Sequence, residues 1–232
     1  METNDASEIV RRYEQVDLIT HHPFLKKLRS EPVNMYHLWK LLANFQISIS
    51  KTFAQRLALI ASRIDDPYVR YIVTELLYDE MGSGKVEDAH VILFSNMMNA
   101  MSQWKSTEPQ SWVLAPGTKF NAAMDRTYGS SDLNECLGAI VSGEIYGKQF
   151  DRFLGDEIRR QNGLDLSNFK WVTLHETLEE THADESANLA KLMPADAIDA
   201  VARGAHGLAQ AAWQFLTDVG DVCYNRAPEG LS

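Results

Sequence analysis

Two histidines and a glutamate share one face of a predicted helix late in the chain. The segment from His175 to His182 reads HETLEETH. At about 100° per residue, His175, Glu179 and His182 lie within about 60° of one another. Because a buried carboxylate needs a compensating partner, this face predicts a metal site. Carboxylates and imidazoles without a thiolate suit Fe(II), Mn or Zn. A surface helix or a core network of His and Glu hydrogen bonds are the alternatives.

A second carboxylate candidate lies in the middle of the chain. Glu144 falls on the apolar face of the helix predicted from Asn134 to Arg160. An inward-facing glutamate on a long helix is the ligand type that dinuclear helix bundles use. The alternative is an exposed pair with Lys148, one turn later, which would stabilise the helix by only about 0.3 kcal/mol.

A third candidate pair stands on either side of a glycine break. Glu80 ends one predicted helix and His90 begins the next, with Gly82-Ser83-Gly84 between them. Taken alone, acids around glycines are more typical of a solvated turn. Together, the three segments supply three carboxylates and three imidazoles, a count that matches two divalent ions. The residues predicted both to bind the metals and to be catalytic are Glu80, His90, Glu144, His175, Glu179 and His182.

Helices must position these residues, because hydrophobic periodicity near 3.6 covers nearly the whole chain and no segment alternates with period two. The fold class is therefore all-α, a bundle of roughly seven helices. The longest predicted loop is Ser106–Thr118, which contains two prolines. With no repeat or linker, residues 1–232 are expected to form one domain. Helices are predicted from Ser7 to Val16, from His22 past Leu28, from Pro32 to about Ile64, from Asp66 to about Glu80, from Glu87 to about Trp104, from Asn134 to Arg160, from Ser167 to Leu192 and from Pro194 to Tyr224.

Composition excludes several classes of function. A formal net charge of −10 argues against nucleic acid as a partner. No apolar run approaches the ~20 residues that span a bilayer, and the first residues lack the pattern of a secretory signal, so we expect no membrane partner and a cytoplasmic protein. Cys136 and Cys223 lie in apolar helical patterns, which is typical of small core residues rather than of a disulfide or a nucleophile.

The order of these motifs resembles the haem-oxygenase-like diiron oxidase and oxygenase family. That family's pattern is an Asp-Glu-x-Gly-x-Gly turn followed by His, then a mid-chain helical Glu, then His-x-x-x-Asp/Glu-x-x-His. Here these motifs are the segment Asp79–Gly84, His90, Glu144 and the segment His175–His182. The His-Pro-Phe-Leu sequence at His22 and the long helix after it also resemble the start of this fold. The resemblance covers nearly the whole chain.

The resemblance implies a haem-oxygenase-like bundle in which two Fe(II) ions react with O2, held by the six residues predicted above. It implies a small-molecule substrate, with an amine or amino acid favoured for N-oxygenation, desaturation or oxidative C–C cleavage, and a fatty acid as the alternative. Manganese at one position, an external electron donor and a homodimer stay open. Two departures from the family's pattern stand out: Glu179 replaces the commoner Asp, and the Pro32–Ile64 helix carries no carboxylate.

Other functions remain open at this level. Lys148 and Asp151 follow Glu144 by one and two turns, and could orient a charged substrate or lie on a solvated helix edge. A thiaminase-like enzyme of the same fold would need a cysteine nucleophile, and Cys136 is the mid-chain candidate. A true haem oxygenase would need an axial histidine, for which His21 or His22 could serve. A cofactor-free oxidase of the same fold and a non-enzymatic helical binding protein are the remaining alternatives.

Overall fold

Helices make up the regular structure of the described residues, which are 6–16, 21–161, 164–175, 188–225 and 227 of this computed structural model. No strand occurs among them, so the all-α prediction is confirmed. A π-helix, Gln46–Ser50, separates two of the α-helices. The α-helices in chain order are α1 (Ala6–Gln15), α2 (Pro23–Ser30), α3 (Met35–Phe45), α4 (Phe53–Ala61), α5 (Pro67–Glu80), α6 (His90–Ala100), α7 (Gln110–Val113), α8 (Ala115–Tyr128), α9 (Leu133–Arg160) and α10 (Ile198–Tyr224).

The two longest of these helices, α9 and α10, make the most extensive helix–helix contact in the described part of the chain. Two glycines allow their backbones to touch. A Cβ atom at Gly138 would lie 2.0 Å from the carbonyl oxygen of Val201, and one at Gly204 would lie 1.8 Å from that of Glu135. Buried hydrophobic residues from every α-helix named above join in one cluster around this pair. The core therefore fixes the position of α9.

Side-chain caps begin two of the helices where the sequence predicts a start. An Asp66 carboxylate oxygen accepts hydrogen bonds from the backbone N–H groups of Tyr68 and Val69, at 2.8 and 3.0 Å. Pro67 takes the first helical position, where its missing N–H costs nothing. Asp132 caps α9 in the same way. The predicted bounds of α5 and α9 are confirmed to within a residue.

The predicted single helix from Pro32 to Ile64 is wrong, because the π-helix Gln46–Ser50 and a short turn interrupt it. Thr52 Oγ1 and Arg56 Nη1 both donate hydrogen bonds to the Ser48 carbonyl oxygen, at 3.0 and 2.9 Å. These bonds satisfy a carbonyl group where the regular helical ladder is broken. Periodicity did not reveal the break, because one extra residue per turn leaves the apolar spacing almost unchanged.

The predicted loop Ser106–Thr118 is also wrong in part, because α7 and the start of α8 lie inside it. Pro116 lies in the first turn of α8, where proline is tolerated. Asn44 of α3 links the two helices: its Nδ2 donates to the Val113 carbonyl oxygen at 2.8 Å, and its Oδ1 accepts from the Gly117 N–H at 2.7 Å. A proline that signals a loop in sequence here begins a helix.

The bounds predicted for the other helices agree with the structure only in part. The predicted Glu87–Trp104 helix is α6 flanked by the 3-10 turns Val86–Asp88 and Ser102–Trp104. The predicted Ser167–Leu192 helix begins with a 3-10 turn and continues through residues 170–175, and residues 176–187 lie outside the described part. A 3-10 turn precedes α10. Among the described helices, none combines the length and apolarity that crossing a membrane requires. The single-domain organisation stays a prediction.

Candidate metal site

A cavity of about 140 Å³ lies inside the bundle, and four of the six predicted ligands line it. Lys148 and Asp151, the predicted orienting residues, line it as well. Glu179 and His182 lie outside the described residues. The ligands on the wall are Glu80, His90, Glu144 and His175. Most of the remaining wall is aromatic or aliphatic, and its aromatic members include Phe45, Phe53, Tyr128, Tyr146, Phe150 and Trp171.

The turn between α5 and α6 brings Glu80 and His90 together. Residues 82–84, Gly-Ser-Gly, have φ angles of 91°, 51° and 89°, a left-handed run that reverses the chain direction. The Nδ1 atom of His90 lies 3.0 Å from Oε1 of Glu80, and the two side chains are only 5% and 19% exposed. The glycine break predicted from sequence therefore places an acid and an imidazole in direct contact.

The protonation of His90 depends on its acidic neighbours. Burial by itself lowers the pKa of the His90 imidazole, but the charge of Glu80, its hydrogen bond and the charge of Asp79 together raise that pKa above its usual value. A protonated imidazole has no lone pair for a metal. A cation that binds through His90 therefore competes with a proton for the ring nitrogen.

His175 lies beside His90 on the cavity wall, and the two ring centroids are 4.6 Å apart. Its Nδ1 donates a hydrogen bond to the Trp171 carbonyl oxygen, one turn earlier, at 2.7 Å. In the neutral ring this hydrogen bond places the proton on Nδ1, so Nε2 carries the free lone pair. The Nε2 atom lies 3.8 Å from the Asp151 carboxylate. A histidine whose second nitrogen donates to a backbone carbonyl is typical of metal ligands.

Glu144 enters the same cavity from α9 and is half-buried there. Tyr128 of α8 lies close enough to respond to its charge: burial first, and the Glu144 carboxylate second, raise the pKa of the Tyr128 hydroxyl. Tyr128 also donates a hydrogen bond to the Ala139 carbonyl oxygen at 3.4 Å. The prediction that Glu144 lies on an inward face of its helix therefore agrees with the structure.

The chemistry of these donors fits a divalent metal. Three separate segments supply two imidazoles and two carboxylates to one wall, and His175 has the tautomer that a ligand needs. Within the described residues, no three acidic, histidine or cysteine side chains are close enough to hold an ion by themselves. Glu179 and His182 lie outside those residues, so the six-residue ligand set stays a prediction.

Sequence reasoning missed part of the wall. Ile49 and Ser50 belong to the π-helix, which no sequence signal predicted, and both line the cavity. The Ser50 Oγ atom is buried and has no hydrogen-bond partner among the described residues. π-Helical turns are frequent at functional sites, and here one turns a polar group towards the cavity. Tyr128 was missed as well, because the α8 segment carried no predicted element.

Neither cysteine supports a nucleophilic site. Cys136 is fully buried, and its Sγ donates a hydrogen bond to the Tyr128 carbonyl oxygen at 3.3 Å. Burial raises the pKa of the Cys136 thiol despite the opposing charge of Arg63. Burial likewise raises the pKa of Cys223 to about 12. Both are free thiols, as expected of core residues, so a thiaminase-like reaction at Cys136 gains no support.

The N-terminal histidines do not resemble a haem ligand either. His22 uses both ring nitrogens: Nδ1 accepts a hydrogen bond from the Phe24 N–H at 3.2 Å, and Nε2 donates to the Trp213 carbonyl oxygen at 3.1 Å. His22 is therefore a helix cap that anchors α2 to α10. His21 is exposed at the surface.

Known structures share this fold. Two crystal structures of a CADD-like protein of unknown function from Nostoc punctiforme PCC 73102 resemble the chain. One gives a TM-score of 0.76 at 12% identity, covering 95% of this chain and 99% of that chain. The other gives 0.73 at 12% identity, covering 96% and 99%. At such identity the likeness concerns the fold alone. No curated protein matches the chain.

A family described as "Iron-containing redox enzyme" matches residues 45–213, which is more than half of the chain and includes all six predicted ligand positions. This match and the shared fold confirm both the resemblance seen in the motifs and the haem-oxygenase-like bundle. The chain therefore belongs to the family of iron-containing redox enzymes.

Proposed function

We propose that the protein is a non-haem diiron enzyme that uses O2 to oxidise a small organic substrate. One observation carries the proposal: the rings of His90 and His175 lie 4.6 Å apart on the wall of one cavity, and each has a carboxylate neighbour. Buried imidazoles beside carboxylates in a mostly apolar cavity are typical of functional sites, and a bound cation would compensate their charge. Membership of an iron-containing redox family supports iron as that cation.

The proposed ligands offset most of the charge of two divalent ions. The imidazoles are neutral when they bind metal, so the carboxylates supply three negative charges against four positive ones. Two bound Fe(II) ions would supply the electrons that reduce O2, a chemistry that amino-acid side chains lack. The proposed ligand set is Glu80, His90, Glu144, His175, Glu179 and His182.

The chain's own residues orient the groups and keep water out. The Trp171 carbonyl holds the His175 ring, and the Asp151 carboxylate lies beside its Nε2 atom. Stacked aromatic rings form a dry wall next to these groups, with the centroids of Phe45 and Phe150 4.7 Å apart. Lys148 lines the same cavity and provides a positive charge for an anionic substrate group.

The cavity wall bears on the class of substrate. The family resemblance favours an amine or amino acid, with a fatty acid as the alternative. The cavity wall, however, is mostly aromatic and aliphatic. A substrate with an apolar body fits such a wall, because burial of apolar surface drives binding. We therefore propose that the substrate is an amino acid or amine with a large apolar part. A fatty acid is the second candidate.

Oxygen consumption tests this function directly. The purified protein is loaded with Fe(II) without oxygen, then exposed to O2 with a panel of amines, amino acids and fatty acids. We expect O2 uptake that one substrate class accelerates, together with a transient visible absorption. If the fully loaded protein consumes no O2 with any of them, the oxygenase proposal fails and a hydrolase of the same fold replaces it.

Ligand variants test the site separately. We expect His175→Ala and His182→Ala to lower the iron content of a folded protein, because each removes an imidazole from the set. His206→Ala is the matched control, since His206 is exposed on α10 and does not line the cavity. Unchanged iron content in the His175 and His182 variants would contradict the assignment.

A further inference from the structure

Gly147 lies on α9, one turn after Gly143, and lines the proposed substrate cavity. A Cβ atom built on Gly147 meets no atom of the described residues within 4 Å. Because Gly147 itself lines the cavity, we expect a side chain at this position to extend into the cavity. A glycine in the interior of a long helix lowers helix stability relative to alanine, so Gly147 does not serve the stability of α9.

Other glycines of α9 have packing reasons that Gly147 lacks. A Cβ at Gly138 would collide with the Val201 backbone of α10. A Cβ at Gly143 would lie 2.7 Å from the Tyr128 hydroxyl and 3.1 Å from Leu208 Cδ2. These two glycines make room for parts of the protein itself. No described residue fills the space beside Gly147.

We propose that Gly147 sets the size of the substrate, because the apolar body of the substrate lies in the space where a side chain at 147 would project. The inference rests on the proposed function in one respect, namely that this cavity is the substrate site. A larger residue at 147 would shorten the apolar body that fits and leave the metal ligands in place.

The neighbouring residue indicates the chemical class. Among the described residues that line the cavity, Lys148 is the one lysine or arginine, and it directly follows Gly147. An ammonium group beside an apolar space matches a carboxylate that carries an apolar body. Amino acids with large side chains and fatty acids both have this form. Gly147 would therefore limit the length of the apolar body in either candidate substrate.

The test uses straight-chain carboxylates, from butanoate to decanoate, as probes. Binding to the purified protein is measured by calorimetry without oxygen, so that no turnover occurs. Gly147→Ala and Gly147→Leu are compared with Gly207→Ala and Gly207→Leu. Gly207 is the matched control, because a Cβ there also meets no atom of the described residues within 4 Å, yet Gly207 of α10 does not line the cavity.

For the wild-type protein we expect affinity to rise about fourfold per methylene group until the cavity is full. Gly147→Leu should bind butanoate within about twofold of wild type and lose on the order of tenfold for decanoate, since its side chain takes the place of buried methylenes. Gly147→Ala should fall between, and the Gly207 variants should follow the wild type. Melting temperatures of both alanine variants should equal or exceed that of the wild type.

Several results would overturn the inference: no dependence on chain length in the wild type, the same loss at every length in Gly147→Leu, or the same loss in Gly207→Leu. The failure of the proposed function is a different result. If Gly147→Leu shifts the length limit but Fe(II)-loaded wild type consumes no O2, the oxygenase proposal falls and the role of Gly147 stands. Normal O2 uptake without any length effect would refute only the role of Gly147.

Discussion

The two sides of the proposed metal site are held in place by different kinds of contact. Glu144 projects from α9, a 28-residue helix that packs against α10 and whose position the core fixes. Glu80 and His90 are joined by a short turn with three successive left-handed residues, and neighbouring Met81 and Val86 are 53% and 68% exposed. One side is held by apolar packing that exists without metal. On the other side, none of residues 81–89 belongs to the hydrophobic core cluster, so we expect bound metal to contribute to the order of the turn.

Besides the contact between Glu80 and His90, the turn is held by backbone hydrogen bonds within itself, such as that from the Ser83 N–H to the Tyr78 carbonyl oxygen at 3.0 Å, and by exposed side-chain contacts. Ser83 donates a hydrogen bond to the Asp79 carboxylate at 2.7 Å, at an exposed position. Lys170 pairs with Asp88 and so ties the turn to the helical segment that carries His175. Exposed polar contacts of this kind contribute little each. The turn is therefore expected to be the part of the site that is easiest to perturb.

The largest expected effect comes from Gly82→Ala. Gly82 has a φ angle of 91°, and a Cβ there would lie 2.2 Å from the Lys85 carbonyl oxygen and 2.5 Å from the Ala89 nitrogen. Backbone atoms cannot move aside as side chains do, so we expect a loss on the order of 3 kcal/mol in the free energy of unfolding. Denaturant unfolding and iron analysis measure this, and iron content should fall as well.

Gly84→Ala is the matched control for that change. Its φ angle is 89°, almost the same, but a Cβ there meets only the end of the Tyr78 side chain, at 2.9 Å from the hydroxyl oxygen. That side chain is exposed and can move, so the cost should be about 1–2 kcal/mol, from the backbone conformation alone. Equal losses in the two variants would show that close backbone packing does not determine the turn.

His90 is expected to make both stability and iron binding depend on pH. Because the pKa of His90 is raised, its contact with Glu80 stabilises the metal-free protein below about pH 6.5, the unfolded value, and this stability is lost as pH rises through the folded pKa. Metal binding has the opposite dependence, since it requires the neutral ring. We expect affinity for the iron on the Glu80–His90 side to fall about tenfold per pH unit below the His90 pKa.

The variant Asp79→Asn tests whether the raised pKa of His90 sets the pH dependence of iron binding, because it removes no proposed ligand. The charge of Asp79 helps to raise the pKa of His90, so the variant should shift the affinity profile towards lower pH. Iron affinity is measured by competition with a chelator across the pH range. A profile that stays in place, or that moves to higher pH, would contradict the role assigned to His90.

The smallest expected effect comes from the ion pair between Lys170 and Asp88. Lys170→Ala should cost less than about 1 kcal/mol in stability, because the pair is partly exposed. It should nevertheless raise hydrogen exchange in the Glu80–His90 turn. Lys119→Ala is the control: Lys119 and Asp218 form a pair of similar exposure that does not touch the turn. The same increase in both variants would mean that the effect is not local.

The parts of the site that could be predicted from sequence are those with a strong local signal. Glu144 was predicted because period 3.6 places it on an apolar helix face, and the Glu80–His90 turn was predicted because glycines mark the break. Ser50 was not predicted, since the π-helix makes contacts with residues distant in sequence, such as the hydrogen bond that Gln46 donates to Ser95. The helix α8 was missed because proline and glycine at its start are also typical of loops.

Hydrogen exchange during anaerobic Fe(II) titration tests the central claim most directly, because it reports both how many ions bind and which segment they order. We predict that two irons bind per chain, that one is held loosely, and that amides of residues 79–90 gain protection only as the second binds. The amides of α9 around Glu144 should be protected throughout. Binding of a single iron, or equal protection of both segments in the metal-free protein, would contradict the account.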